Sequence, residues 1–488
     1  TGVGYALLAE RIAERAGTSV GAVGELTGAR GDLGDAAYEL LAPKAAAGGL
    51  SLLSVGAVPL TTASASSRDE KHSLLRRALL EASPLEVKYL VKVLLGELRI
   101  GVREGVVEEA LARAFDVPVA DIRRASALVT DLGEVAVLAL ERRLHEAAPA
   151  VGRPLSFMLA SPLEAVASPL EAAAFVVEDK VDGIRAQLHV QGDAVRLFGR
   201  GLEDVTVAFP EVVAAATGLG EALVLDGELL VQTATGRPRP FQALQPRLRK
   251  TAPTRALLRD APVTFLAYDL LVDGEPLLAL PWEARRARLA ERMAHARAPL
   301  ALHTATPLEA TPPLGEQVDA AYAAARDRGH EGVVLKRRDG PYEAGKRGQI
   351  WLKVKRAFAS LDVVITRAER GHGKRAGVLS DYTFAVWDGD RLVEIGKAYS
   401  GLTDAEIEGL TRRLEELTVE QQGGMRWVRP EIVLEVAFDG IQPSSRHGSG
   451  FALRFPRIAR LRDDKRPEEA DTLAAARALF EAQVATGH

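Results

Sequence analysis

The 488-residue sequence contains no cysteine. That excludes disulfides and a thiolate zinc site. It fits a reducing compartment, and a cytoplasmic location is expected. No apolar run approaches the ~20 residues of a membrane span. The first residues, from Thr1, show no signal-peptide pattern, so no membrane partner is expected. An excess of basic charge is also missing, the formal net charge being −4. A nucleic-acid partner is not signalled by bulk charge and would need local basic patches. Repeats and low-complexity tracts are absent too. What is present is an ordinary globular composition, 47% hydrophobic and 26% charged. The chain is long enough for two to four domains.

Residues 1–146 read as helical throughout. Apolar residues recur at three- and four-residue spacing from Leu7 to Ile12 and from Leu79 to Leu95. Ser83-Pro84-Leu85-Glu86 has the form of a helix start: a serine cap, proline in the first position, an acid in the first turn. The helix is expected to end near Gly96, and the turn Leu98 to Gly105 feeds another. Lys88, Lys92, Arg99 and Arg103 cluster here. Such a run is usually a solvated helix face. Arg99, between apolar neighbours, is better placed than most to meet a phosphate.

Residues 147–154 are rich in proline, glycine and alanine and read as a linker. Beyond them strands alternate with helices. Strands are expected at 175–177, 185–190, 194–199, 223–230, 263–271 and 332–336, with helices at 209–216, 283–295 and 315–328. From Leu361 short strands return, with turns at Asp388-Gly389 and Asp439-Gly440 and a helix at about 403–417. That pattern suits a small Greek-key barrel of the OB kind, followed by a last helix over 467–484. The expected architecture is multidomain: all-α over 1–146, α+β over 155–358, and a β-barrel over 361–488.

Charged residues sit inside the apolar strands of the α+β region. Lys180, in Glu178-Asp179-Lys180-Val181-Asp182-Gly183-Ile184-Arg185, lies between two β-prone runs. A lysine on such a connection can be a covalent nucleophile once its amine is neutral. In isolation the same stretch could be a solvated hairpin tip. Leu225-Asp226-Gly227-Glu228-Leu229 puts two carboxylates on a strand, and Glu331 to Lys336 a carboxylate and a lysine. Trp351-Leu352-Lys353-Val354-Lys355 alternates, so Lys353 and Lys355 share a face. Buried charges are costly unless they pair or bind a metal. Several such islands in one domain suggest nucleotide activation, with Lys353 and Lys355 on a phosphate and Glu228 and Glu331 on Mg²⁺. Positive charge from Lys353, Lys355 and Arg185 would favour a neutral Lys180 amine. Tyr268 offers a face for a base, or packs in the core.

Lys180-x-Asp182-Gly183-x-Arg185 resembles motif I of the covalent nucleotidyltransferases. Asp226 to Glu228, Phe265 to Leu270, Glu331 to Lys336 and Trp351 to Lys355 resemble the motifs that follow it, in order. Arg454-Phe455-Pro456-Arg457, Arg460 and Asp463-Asp464-Lys465 resemble the last motif of ATP-dependent DNA ligases. Residues 97–105 and 131–134 resemble the helical DNA-binding domain of the larger members. The resemblance implies a ligase that seals nicked duplex DNA through a lysyl-AMP intermediate and a 5′-adenylated DNA, in replication, repair or recombination.

It implies that Lys180 carries AMP from the co-substrate ATP. Glu178 would lie beside the adenine, Tyr268 would stack on it, and Arg185 and Arg200 would meet ribose and the nick 5′-phosphate. Asp182 would assist the sealing step. Arg454, Arg457, Arg460 and Lys465 would orient the β- and γ-phosphates, and Mg²⁺ or Mn²⁺ would sit on Glu228 and Glu331. Tyr268 stands where the family usually has phenylalanine. Lys88, Arg99, Arg103 and Arg247 are the candidate DNA contacts of a monomer that encircles the nick, nucleoid-associated when engaged. A hinge is expected at Leu361-Asp362. An RNA ligase or capping guanylyltransferase, and a silent nick-binding scaffold, are the alternatives. Gly371-His372-Gly373-Lys374 lacks P-loop spacing. An NAD-dependent ligase would carry a four-cysteine zinc site.

Overall fold

The computed structural model describes residues 3–43, 48–65, 67–96, 98, 100–233, 235–248, 252–371, 375 and 377–485. The chain divides into two compact units, Thr1–Ala110 and Leu111–His488.

The first unit is helical. Leu8, Ile12, Leu33, Leu75, Val87 and Leu90 meet in its core, which is the three- and four-residue spacing turned into one apolar stripe per helix. The helix Pro84–Leu95 begins as its sequence predicts. Ser83 and Glu86 form a reciprocal capping box, and Gly96 closes the helix with φ 76°. Lys92 is buried on this helix against Asp32 and Asp35, at 3.1 and 3.4 Å.

In the second unit the helices Val119–Val129 and Leu132–Leu140 are tied to the strands beyond them. Ser156 N donates to Ala127 O at 2.7 Å, and Thr130 Oγ1 to Pro154 O at 3.1 Å. Two sheets follow. The first runs in the order Leu159–Pro162, Arg347–Val354, Gly332–Arg337, Phe175–Lys180, Ala305–Pro307. The second runs Ala194–Gly199, Ile184–Gln191, Leu223–Val231, Val263–Asp273, Glu275–Pro276, with Leu300–Leu302 beside Val263–Asp273. Each expected strand and helix of this region is present, longer or shifted by a few residues. The chain crosses from the first sheet to the second between Lys180 and Ile184. Gly183 is required there, since a Cβ would overlap the Leu229 carbonyl oxygen and crowd Glu228.

The C-terminal strands form an antiparallel, partly closed barrel of the OB kind. Ala359–Arg370 is its long central strand, paired with Leu379–Asp388, Met425–Val428 and Val433–Phe438. Val363, Ile365, Phe384, Ile395, Leu434 and Phe438 fill it. Helices Asp404–Glu416 and Leu473–Ala485 lie where helices are expected.

Three expectations are corrected. Arg457–Leu461, expected to lie beyond the barrel strands, is itself a strand paired with Val433–Phe438. Its Ile458 is buried while Arg457 and Arg460 face outward, so one apolar residue anchors a basic segment. The hinge at Leu361-Asp362 falls inside the long central strand, opposite Val436 and Glu435. The irregular passage between sheet and barrel is 355–358. Arg247 is 1% exposed and cannot lie on a DNA phosphate. Its guanidinium donates to Ala261 O and Ala208 O, both at 2.7 Å, and pairs with Glu211. Among the described residues no helix is long and apolar enough to cross a membrane.

Candidate active site

The corner at Lys180 opens into a cleft between the two sheets, lined from the barrel by Arg454 and Phe455. Lys180 ends its strand, and Gly332 pairs with it across the first sheet. Glu331 N donates to Lys180 O at 2.8 Å. That register places the Glu331 carboxylate on the Lys180 ammonium. The other Glu331 oxygen takes Lys355 Nζ at 2.9 Å, and Lys355 reaches on to Asp439 of the barrel at 3.0 Å.

The charge balance differs from the expected one. Burial opposes the Lys180 ammonium, but Glu331, Glu228 and Asp182 outweigh it and hold its pKa above the ordinary value. The expected neutral amine is therefore not the resting form. Burial would also raise Glu331, yet Lys180 and Lys355 bring it down to about 2. Glu228 is the opposite case. Burial pushes it up to about 8, only partly countered by Lys180 and Arg185. Burial likewise raises Asp182, with Glu331 adding to the rise and Arg454 opposing it. Lys353 lines the cleft and is lowered, first by burial and then by Arg347, Lys180 and Lys355.

Aromatic walls complete the cleft. Arg185 lies 4.7 Å from the Phe157 ring, 5.2 Å from Trp351 and 5.8 Å from Tyr268. It is held by Asp226 through paired bonds of 3.0 and 2.6 Å. Asp226 also accepts from Tyr342 at 2.7 Å. Glu178 is buried against Lys336 at 2.7 Å. Tyr268 lines the cleft, and burial keeps its hydroxyl neutral. Arg200 is exposed at the rim.

The structure thus brings together Glu178, Lys180, Asp182, Arg185, Arg200, Glu228, Tyr268, Glu331, Lys353 and Lys355 around one cleft. Arg454 joins them through Asp182 at 3.4 Å. Arg457 is one carboxylate away, on Asp439 at 3.2 Å. Arg460 and Lys465 are held inside the barrel domain, on Glu435 at 2.7 Å and Asp362 at 2.5 Å. Of the candidate DNA contacts, Lys88 pairs with Asp35 at 2.6 Å, Arg103 is exposed, and Arg99 lies outside the described residues. Sequence reasoning missed Asp439, which joins the barrel to Lys355, and the wall residue Phe157. It noted Lys336 without a role. A lysine ending an apolar strand run was the signal.

The donor chemistry fits a hard cation. Glu228 offers carboxylate oxygen and forms no ion pair among the described residues, although both Glu331 oxygens are committed to lysines. No cluster of three or more potential ligand residues is found among the described residues. Mg²⁺ is commonly held by one or two carboxylates plus substrate phosphates.

Three family models match in sequence. "DNA ligase N terminus" covers residues 1–112, "ATP dependent DNA ligase domain" 157–355, and "ATP dependent DNA ligase C terminal region" 375–465. A protein of Koribacter versatilis named "Probable DNA ligase" is 42% identical over 94% of this chain and 85% of its own length. The chain belongs to the ATP-dependent DNA ligase family. A "DNA ligase" of Methanothrix thermoacetophila is 38% identical over 97% of this chain and 87% of its own. The solved structure "Pmar-Lig_PreS3" matches with a TM-score of 0.55 at 19% identity, covering 85% of each chain, a likeness in fold. As a member of the family, this chain is an ATP-dependent ligase that seals DNA nicks through an adenylate intermediate.

Proposed function

We propose that Lys180 is the residue that carries AMP. Its place at the corner between the two sheets, on Glu331 and beside Glu228, Lys353 and Lys355, is the observation that supports this. The Lys180 Nζ lone pair attacks the α-phosphorus of ATP, the bond to the bridging oxygen breaks, and pyrophosphate leaves. Lys180 first gives its proton to solvent water, and Glu331, already in contact with it, stabilises the ammonium until then. Lys353 and Lys355 offset charge on the phosphate. Mg²⁺ held at Glu228, with Glu331 as a second donor, would supply further charge neutralisation on the phosphates. Tyr268 and Glu178 flank the base, Arg185 and Arg200 the ribose and the nick 5′-phosphate. Asp182 acts in sealing.

Arg454 and Arg457 are at hand for the outgoing pyrophosphate, and Arg460 and Lys465 reach it when the barrel turns about residues 355–358. The helical residues 1–146 hold DNA, with Lys88 and Arg103 on phosphates, and the enzyme acts as a monomer around a nick. Intact mass after incubation with ATP, NAD⁺ or GTP separately tests this reading. Gain of one AMP from ATP is expected, lost in Lys180→Ala. Full adenylation of that variant at another lysine would remove the assignment.

A further inference from the structure

One buried ion pair in the cleft leaves a carboxylate oxygen unspent. Lys336 is 1% exposed and Glu178 3%. Glu178 and Val334 face each other across two strands of the first sheet, which puts Lys336 on the diagonal of the same face. Lys336 Nζ lies 2.7 Å from Glu178 Oε2 and 3.3 Å from the Tyr268 carbonyl. It also sits 4.3 and 4.4 Å from the centres of the Tyr268 and Trp351 rings. Two acceptors and two rings fix this ammonium in place. Among the described residues Glu178 Oε1 has no hydrogen-bond partner. Both residues line the cleft beside Tyr268. A buried acceptor without a donor is costly, and a ligand that supplies the donor recovers the cost.

We infer that Lys336 is a positioning residue that sets the choice of nucleobase, holding Glu178 as a carboxylate whose second oxygen accepts the amino group at purine C6. This rests on the reading of the cleft as the ATP site. Adenine brings an N–H donor to Oε1. A purine with a carbonyl at C6 sets an acceptor against Oε1 and carries its donor at N1 instead, so the bond at the C6 position is lost. Lys336 acts through Glu178 and makes no bond to the base itself.

The other charges around the pair are accounted for. Arg286 of the helix Trp282–Met293 acts on Glu178 through its charge, without an ion pair among the described residues. Asp269 and Asp226 act on Lys336, and each has its own arginine, Arg285 at 2.7 Å and Arg185 at 2.6 Å. The Tyr268 hydroxyl stays neutral. Lys336 is therefore the cation in contact with Glu178. Without it, nothing in contact fixes the Glu178 carboxyl, its second oxygen is free to turn from the base, and the discrimination collapses.

The test compares nucleotidylation of Lys180 from ATP and from inosine triphosphate, which has a carbonyl at C6 and a hydrogen on N1 in place of the C6 amino group. The full chain is used, between pH 6 and 9, with intact mass as readout. The native protein should prefer ATP by about ten- to a hundredfold, the worth of one hydrogen bond to a charged group. Lys336→Met should lose most of that preference. Lys336→Arg should keep it. The double variant Lys336→Met with Glu178→Gln removes both charges at similar shape, so it remains informative if the single variant does not fold. Its amide can donate or accept, and its preference should be near unity at every pH. An unchanged preference in both Met variants across the pH range overturns the inference. Should the native protein take up no AMP at all, the reading of the cleft fails instead.

Discussion

At the scale of single residues, this site works by separating charges that would otherwise cancel. Glu331 and Glu228 are both carboxyls beside Lys180, yet one is brought down to about 2 and the other pushed up to about 8. Two lysines touch the first, and burial dominates the second. Glu228 has a consequence for stability. In the folded chain it keeps its proton up to about 8, and in the unfolded chain only up to about 4.5. The folded state binds the extra proton between those values, so its stability falls as pH rises through that window. Glu228→Gln stays neutral and should gain on the native chain from pH 5 to pH 9, by up to about 4 kcal/mol. Urea unfolding at the two pH values measures it, and equal pH dependence of both proteins would refute it. The same variant should raise the Mg²⁺ needed for adenylation. Arg247 gives the opposite kind of test. Arg247→Ala leaves two carbonyls and Glu211 without their donor, and should cost about 2–4 kcal/mol of stability. The salt slope of DNA binding should not change, whereas a flatter slope would restore Arg247 to the DNA surface.

At the scale of elements, the corner between the sheets does the positioning. A strand ending on Lys180 and a strand beginning after Gly183 can meet only because no Cβ stands at Gly183. Gly183→Ala should shift the Lys180 and Glu228 side chains and slow adenylation by about a hundredfold or more, the penalty for an ångström-scale misplacement of reacting groups. Single-turnover uptake of AMP would show it, and native rates would mean the corner has slack. The barrel's last strand raises a second question. Lys465 is held by Asp362, which also takes Arg462 at 2.8 Å. Lys465→Ala should lose most self-adenylation while still sealing a nick that already carries AMP. Normal adenylation would confine Lys465 to its ion pair within the barrel.

At the scale of the molecule, the compact unit that holds the chemistry begins at Leu111. The helices Val119–Val129 and Leu132–Leu140 are bonded to residues 154–156 of the catalytic unit. A protein starting at Leu111 should therefore fold and take up AMP. It should bind nicked duplex more weakly than the full chain, with the salt slope reduced by about 0.9 for each phosphate no longer neutralised. Titration at several salt concentrations decides this. Equal affinity and slope would mean that the first unit does not hold DNA.

The strands carrying Glu228, Lys336 and Lys353 were legible in the sequence, whereas Lys180, expected on a connection, is the last residue of a strand. A charged residue in a β-prone run is a local pattern, and alternation fixes which face it takes. The capped helix at Ser83 was legible for the same reason. The ordered motifs pointed to the family, because their spacing is a property of the chain. What the sequence could not determine was partnership. Arg247 and Arg454 look alike as basic residues in basic stretches. One is sealed beneath Ala208 and Ala261, and the other reaches Asp182 across 272 positions. The sign of the Lys180 shift was likewise decided by Glu331, 151 residues away, which sheet register brings into contact. Local propensity is written in neighbouring residues. Burial and charge pairing depend on which distant segments fold against each other, and the tertiary structure alone decides them.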